Sequence, residues 1–169
     1  MENNTGPGKK ETYTYEEVRS MIASAIMDRA KYLAAFYKVM PRDEFDKWAK
    51  KALWGYGERK VARTKGEHGK VKTFSDIMLA INGVNNTCAG TNTVELINEE
   101  KAVIHFNHKC AMVQGWEDMG LAKDEVKYLC DIACYGDYAH ADGLGLKCSF
   151  SYTSADGAHE LCELVVEKK

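Results

Sequence analysis

A chain of 169 residues, 45% hydrophobic and 10% aromatic, suits one packed domain, and we expect a tail over residues 1–12 followed by a single domain over 13–169. The formal charge of −2, with basic residues scattered among acidic ones, excludes a general attraction to nucleic acid or anionic lipid as the basis of function. No apolar run approaches the roughly 20 residues of a membrane helix, and the N-terminal MENNTGPGKKET lacks the apolar region of a signal peptide, so a cytoplasmic protein without membrane contact is expected.

From Thr14 the pattern becomes helical. Thr14 with Glu17 reads as a capping box, and Val18, Met21, Ile22, Ala25, Ile26, Arg29, Leu33, Phe36 and Tyr37 recur at helical spacing before Pro41 stops the run. A second helix starts near Asp43 with Phe45, Trp48, Ala49, Ala52, Leu53 and Tyr56 on its buried stripe, and continues to about Thr64. In it, Gly55 and Gly57 either weaken the end or admit a close neighbour. The Trp side chains 48, 54 and 116 read as core anchors. TKGEHGK reads as a turn with His68 exposed, and Thr73 to Ile81 as a short helix.

Beyond NGVNNTCAGTN the period drops to two. Thr93–Ile97 and Ala102–His108 form one expected hairpin, with Ile104, Phe106 and His108 on one face and Val103, His105 and Asn107 on the other. A short helix from Cys110 to Gly120 follows, then a helix from Lys123 or Asp124 to about Ala141, ended by the glycines of GLG. Lys147–Thr153 and Leu161–Val166 make a second hairpin around the turn SADGAHE. The order predicts an α+β fold with a helical N-terminal half, one antiparallel sheet of about four strands from two hairpins, and helices on one face. The long first helix offers a surface for homo-oligomer formation.

Five of the six cysteines fall between Cys110 and Cys162, and no two are spaced as CxxC. Without an export signal they are expected to be free thiols in a reducing compartment.

The series Cys110, Trp116, Gly120, Cys130-Asp131, Asp137, Gly157 and Cys162-Glu163-Leu164 resembles the L-2-amino-thiazoline-4-carboxylic acid hydrolase family. More distantly it is similar to the 4-vinyl reductase-like small-molecule-binding domains. It departs from the family in its turn, Asp156-Gly157-Ala158-His159-Glu160, where the usual reading is Gly-Asp before the cysteine. The resemblance implies hydrolytic opening of a five-membered cyclic amidine, in which water adds to the carbon between sulfur and nitrogen and an N-carbamoyl amino acid results.

That chemistry asks for a nucleophile, a proton shuttle and a carboxylate site. Cys110, at a helix start where the dipole favours thiolate, is the candidate nucleophile, with His108 or His105 as a base near it in sequence. Asp131 and Asp137 lie in an otherwise apolar helix, and Asp137 is three residues from His140, close enough to orient that ring as a general base. For substrate binding the candidates are His105, Cys130, Tyr138 and Arg59, the last with its neighbours Lys60 and Arg63. The competing structural reading makes Cys110, Cys130 and Cys134 small core residues.

No cofactor is expected. A zinc or iron site is the rival use of His105, His108, Cys110, Cys130, Cys134, Asp137 and His140, although their spacing matches no metal motif, and a regular strand would put His105 and His108 on opposite faces. A non-catalytic sensing or carrier domain for a small molecule is the other alternative.

Overall fold

The computed structural model describes residues 12–67, 73–85 and 92–169. The expected tail up to residue 11, the end of the expected TKGEHGK turn with His68, and the stretch 86–91 with Cys88 lie outside the described residues, whereas residues 64–67 of that turn are helical. The order is α1 (Tyr15–Val39), α2 (Arg42–Glu67), α3 (Phe74–Asn85), β1 (Asn92–Leu96), β2 (Lys101–Phe106), α4 (Ala111–Asp118), α5 (Lys123–Ala133), α6 (Tyr135–Gly143), β3 (Leu146–Tyr152) and β4 (Cys162–Lys168).

The helix starts follow from local chemistry. At α1 the Glu17 amide donates to Thr14 Oγ1 at 3.2 Å and the Thr14 amide donates to Glu17 Oε2 at 2.8 Å, so two otherwise unpaired groups satisfy each other. Thr73 and Asp76 repeat the device before α3. Met40, which precedes Pro41, is extended and ends α1. The helix expected from Lys123 to Ala141 divides at Cys134: the Asp137 amide donates to the Cys134 carbonyl at 2.9 Å, a three-residue step that tightens the chain before α6.

The sheet is antiparallel with order β1-β2-β4-β3, two hairpins joined along β2 and β4. Alternation sends Ala102, Ile104, Leu164 and Val166 inward against Phe74, Met78 and Ile81 of α3 and Ala141 of α6. The outer face carries charge: Glu167 pairs with Lys101 and Lys147, each at 3.2 Å, and His105 lies between Glu95 (3.1 Å) and Glu163 (3.4 Å). The register slips between Phe150 and Tyr152, so that Tyr152 comes opposite Glu163 and donates to its carboxylate at 3.3 Å.

A second core joins Ala30 and Ala34 of α1, Phe45 and Ala49 of α2, Val113 and Trp116 of α4, and Leu129 and Ile132 of α5, with Phe150 touching both cores. Trp116 is fully buried and donates to the Ala30 carbonyl at 2.9 Å. Trp48 and Trp54 depart from expectation: they are 46% and 37% exposed, because the stripe of α2 turned inward is the one bearing Phe45, Ala49, Gly57 and Thr64. No described helix is long and apolar enough to cross a membrane.

Gly57 is the tightest point between helices. A Cβ there would stand 2.3 Å from the Gly136 carbonyl oxygen and 2.7 Å from Ala139 Cβ, whereas one at Gly55 would meet nothing within 4 Å. Gly57→Ala should therefore cost about 1–3 kcal/mol in urea denaturation by forcing α6 away, while Gly55→Ala should stabilise by about 0.5–1 kcal/mol through helix propensity alone.

Candidate functional site

Where the helical core meets the inner face of the sheet, a cavity of about 380 Å³ opens. This lies in the range of roughly 300–1,000 Å³ typical of small-molecule sites. Its walls are largely apolar: Ile26 and Leu33 of α1, Leu53 and Tyr56 of α2, Met112 and Trp116 of α4, and Phe106 and Phe150 of the sheet. Phe36 and Trp48, both half-exposed with ring centroids 5.5 Å apart, border it on the solvent side.

Within these walls stand four thiols, Cys110, Cys130, Cys134 and Cys162, and a small group of charges. Lys60 Nζ lies 3.0 Å from Asp137 Oδ1, with the lysine side chain only 16% exposed. The same ammonium lies 5.3 Å from the centroid of Tyr56, and the Arg29 guanidinium leans on that ring at 6.0 Å. Among the described residues no carboxylate stands against Arg29. Tyr56 thus gathers the Arg29 charge and the Lys60–Asp137 ion pair at one corner of the cavity, where cations outnumber carboxylates.

Four of the sequence candidates meet here: Cys110, His108, Cys130 and Asp137 all line the cavity. Cys110 caps α4 without a side-chain hydrogen bond. Its thiol is pushed up to about 12, chiefly by burial and further by the nearby Cys162 and Cys130, while the amides of Val113 and Met112 pull the other way and are outweighed. The thiolate expected from the helix dipole is therefore not favoured at neutral pH. His108 falls outside β2, which ends at Phe106, so strand alternation does not govern it. The Arg19 guanidinium donates to His108 Nδ1 at 2.9 Å. Arginine has no lone pair to accept with, so Nδ1 of the neutral ring is the acceptor, its proton sits on Nε2, and Nδ1 is occupied by Arg19 instead of standing open as a base.

The other candidates stand elsewhere. Asp131 is exposed on α5 and bound by Lys127 at 3.0 Å, because its rotation about the helix axis points it away from the cavity wall that Cys130 and Cys134 form. His105 lies on the outer face of the sheet between Glu95 and Glu163. Arg59 is exposed and does not line the cavity, although its neighbour Lys60 does. Tyr138 packs edge-on against Tyr135 at 5.9 Å, and burial pushes its hydroxyl up.

His140 does not pair with Asp137 as expected. It is 2% exposed, with Nε2 2.8 Å from the Thr64 hydroxyl, while Asp137 turns to Lys60. Asp137 lines both the main cavity and a small gap shared with His140 and Cys148. No group of three or more described His, Cys, Asp or Glu side chains is arranged to hold a metal ion.

The sequence reading named Lys60 only as a neighbour of Arg59 in binding a carboxylate, and passed over Arg29 and Thr153. Arg29 carried the available signal, as the one charge in the apolar stripe of α1; Lys60 follows Tyr56 by one helical turn. Thr153 gave none, since its position depends on the slip in β3.

The pKa of His140 is lowered to about 4 from 6.5, mostly by burial and then by the Lys60 charge, with Asp137 opposing. The unfolded chain therefore binds a proton that the folded one refuses, so His140 destabilises the fold progressively as pH falls from about 6.5 to about 4. The loss should reach about 3 kcal/mol, read as the difference in urea stability between pH 7 and pH 4, and His140→Gln should remove most of it.

The fold is similar to that of trafficking protein particle complex subunit 3 from Naegleria fowleri, solved covalently bound to palmitic acid, with a TM-score of 0.61 and 13% identity over 89% of this chain and 96% of that one. It is also similar to the phenol-responsive sensory domain of the transcription activator PoxR, solved with phenol, with a TM-score of 0.58 and 10% identity over 85% of this chain and 74% of that one. At such identities the likeness is one of fold. No curated protein matches the chain. The family model described as L-2-amino-thiazoline-4-carboxylic acid hydrolase matches residues 19–165.

Proposed function

The chain belongs to the L-2-amino-thiazoline-4-carboxylic acid hydrolase family, and on that premise we propose that its cavity takes up a small carboxylated molecule with a largely apolar body. The observation that carries this reading is the cationic corner of Arg29 and Lys60 in an otherwise apolar cavity of about 380 Å³. A carboxylate placed there gains charge-assisted hydrogen bonds, and Arg29 supplies the planar fork that fits it. The apolar remainder of the ligand lies against Leu33, Met112, Trp116 and Phe150, which supply binding energy in proportion to the area removed from water. Two structural neighbours support the apolar part of this reading, since one was solved covalently bound to palmitic acid and the other with phenol, both ligands with a largely apolar body.

A second reading, favoured by the family match, adds hydrolytic opening of a carboxylated cyclic amidine: water adds to the carbon between sulfur and nitrogen, the C–S bond breaks, and the ring sulfur takes up a proton and leaves as a thiol while both nitrogens stay on the new carbonyl carbon. In it, Arg29 and Lys60 hold the substrate carboxylate. The Asp137 carboxylate, on the same wall, takes a proton from the water that adds to the amidine carbon. The thiol of Cys110 stays protonated and serves as wall, so this route needs no covalent intermediate. A single five-membered ring leaves much of the cavity unfilled, which favours a substrate with a further apolar substituent.

Calorimetric titration with decanoate and decanol tests the uptake. Decanoate should bind more tightly, and Arg29→Met and Lys60→Met should each weaken it by about tenfold or more while changing decanol little, since a hydrogen bond to a charged group contributes about 1.5–3 kcal/mol. Equal affinity for the two would sink the carboxylate corner. For the hydrolytic reading, turnover of 2-amino-thiazoline-4-carboxylate should survive Cys110→Ala and be lost in Asp137→Asn, with product release followed by mass spectrometry.

A further inference from the structure

Helices α1 and α2 run antiparallel from the turn at Pro41, and ring contacts join them in order along their length. Nearest the turn, Tyr37 packs edge-on against the buried Phe45 at 5.4 Å. Next come Phe36 and Trp48 at 5.5 Å, and farthest out the Arg29 guanidinium on Tyr56 at 6.0 Å. The last two pairs line the cavity, and the first does not. Phe36 follows Arg29 by two helical turns, so these two pairs lie roughly 10 Å apart along the helix axes. Between them, Leu33 and Leu53 also line the cavity. The cavity thus opens along a slot that carries charge at one end and two aromatic rings at the other, and Tyr37 on Phe45 closes the helices together beyond the rings. Phe36 and Trp48 are each 46% exposed although both face the cavity, and apolar rings left in water across a groove mark a place where a ligand covers them.

We propose that Phe36 and Trp48 set the length of the molecule that the cavity takes up, and that this molecule is an unbranched carboxylate of medium chain length. Its carboxylate lies at the Arg29 and Lys60 corner, its chain passes Leu33 and Leu53, and its terminal carbons rest against the two rings. This deepens the uptake reading and rests on it. Each methylene laid along the slot leaves water and adds to affinity, up to the carbon that reaches the rings. Carbons beyond that point meet the closed contact of Tyr37 with Phe45 and turn out to solvent, where they add nothing. Decanoate spans the slot, and hexanoate stops short of the rings.

The test is calorimetric titration of the full chain with butanoate, hexanoate, octanoate, decanoate and tetradecanoate. Affinity should rise by about fourfold per methylene up to decanoate and flatten beyond it. Phe36→Ala and Trp48→Ala should each weaken decanoate by about tenfold while leaving hexanoate within about twofold. Tyr32→Ala, exposed on α1 and outside the cavity wall, should change neither. Decanoate, and not hexanoate, should also move the tryptophan emission to shorter wavelength. Trp48→Phe should abolish that shift, since Trp116 is already fully buried and Trp54 does not line the cavity. Affinity that is flat across the series or keeps rising past decanoate, Ala variants that weaken hexanoate and decanoate alike, or an emission shift that survives Trp48→Phe each overturn the proposal and leave the uptake reading standing. A wild-type chain that binds none of these carboxylates sinks the uptake reading, and this one with it.

Discussion

The approach of α2 to α6 is the contact on which the site depends. Gly57 has no side chain to hold Gly136 and Ala139 away, and Gly143 likewise admits Val61, whose Cγ2 would stand 2.5 Å from a Cβ at that position. With the helices this close, successive turns deliver matched polar pairs: Lys60 meets Asp137 at 3.0 Å, and one turn along Thr64 meets His140 at 2.8 Å. Each pair satisfies groups whose isolated burial would cost several kcal/mol. The small residues thus carry the function indirectly, since a separation wider by one methyl would leave a carboxylate and an ammonium facing apolar wall with nothing between them.

The cavity follows from the same arrangement. Helices α1 and α4 close one side, Gly115 fitting against the Met27 backbone, and the sheet closes another with Phe106 and Phe150. Polarity is then distributed unevenly: charge collects around Tyr56, while the thiols line the remainder. Burial pushes the Cys110 and Cys148 thiols up to about 12, so sulfur at these positions acts mainly as polarisable surface.

Much of this fold is legible in the sequence because the relevant signals are local. The capping box at Thr14 needs only Glu17, Pro41 stops α1 through its own ring, and the period-two runs around Ile104 and Leu164 fix which strand faces meet the core. The site was legible in part, and its misses have a common cause. Neighbouring positions on one helix look alike in sequence, yet Asp131 is turned to solvent and Lys127 while Cys130 beside it lines the cavity. Arg59 and Lys60 divide in the same way. Helix–dipole reasoning favoured a thiolate at Cys110 because it weighs a local term, whereas the desolvation that outweighs it comes from walls supplied by distant segments. His140 turned to Thr64, a residue 76 positions away, and no spacing rule within α6 reveals that partner.

The slip between Phe150 and Tyr152 has a consequence for how the molecule behaves among its own copies. β3 is an edge strand, and an edge with a regular row of open amide and carbonyl groups is a template for pairing with another chain. The extra residue at Ser151 interrupts that row and bends the strand end. The irregularity that carries Tyr152 to the outer face thereby also blunts the sheet against sheet-to-sheet aggregation, a protection the regular strand would lack.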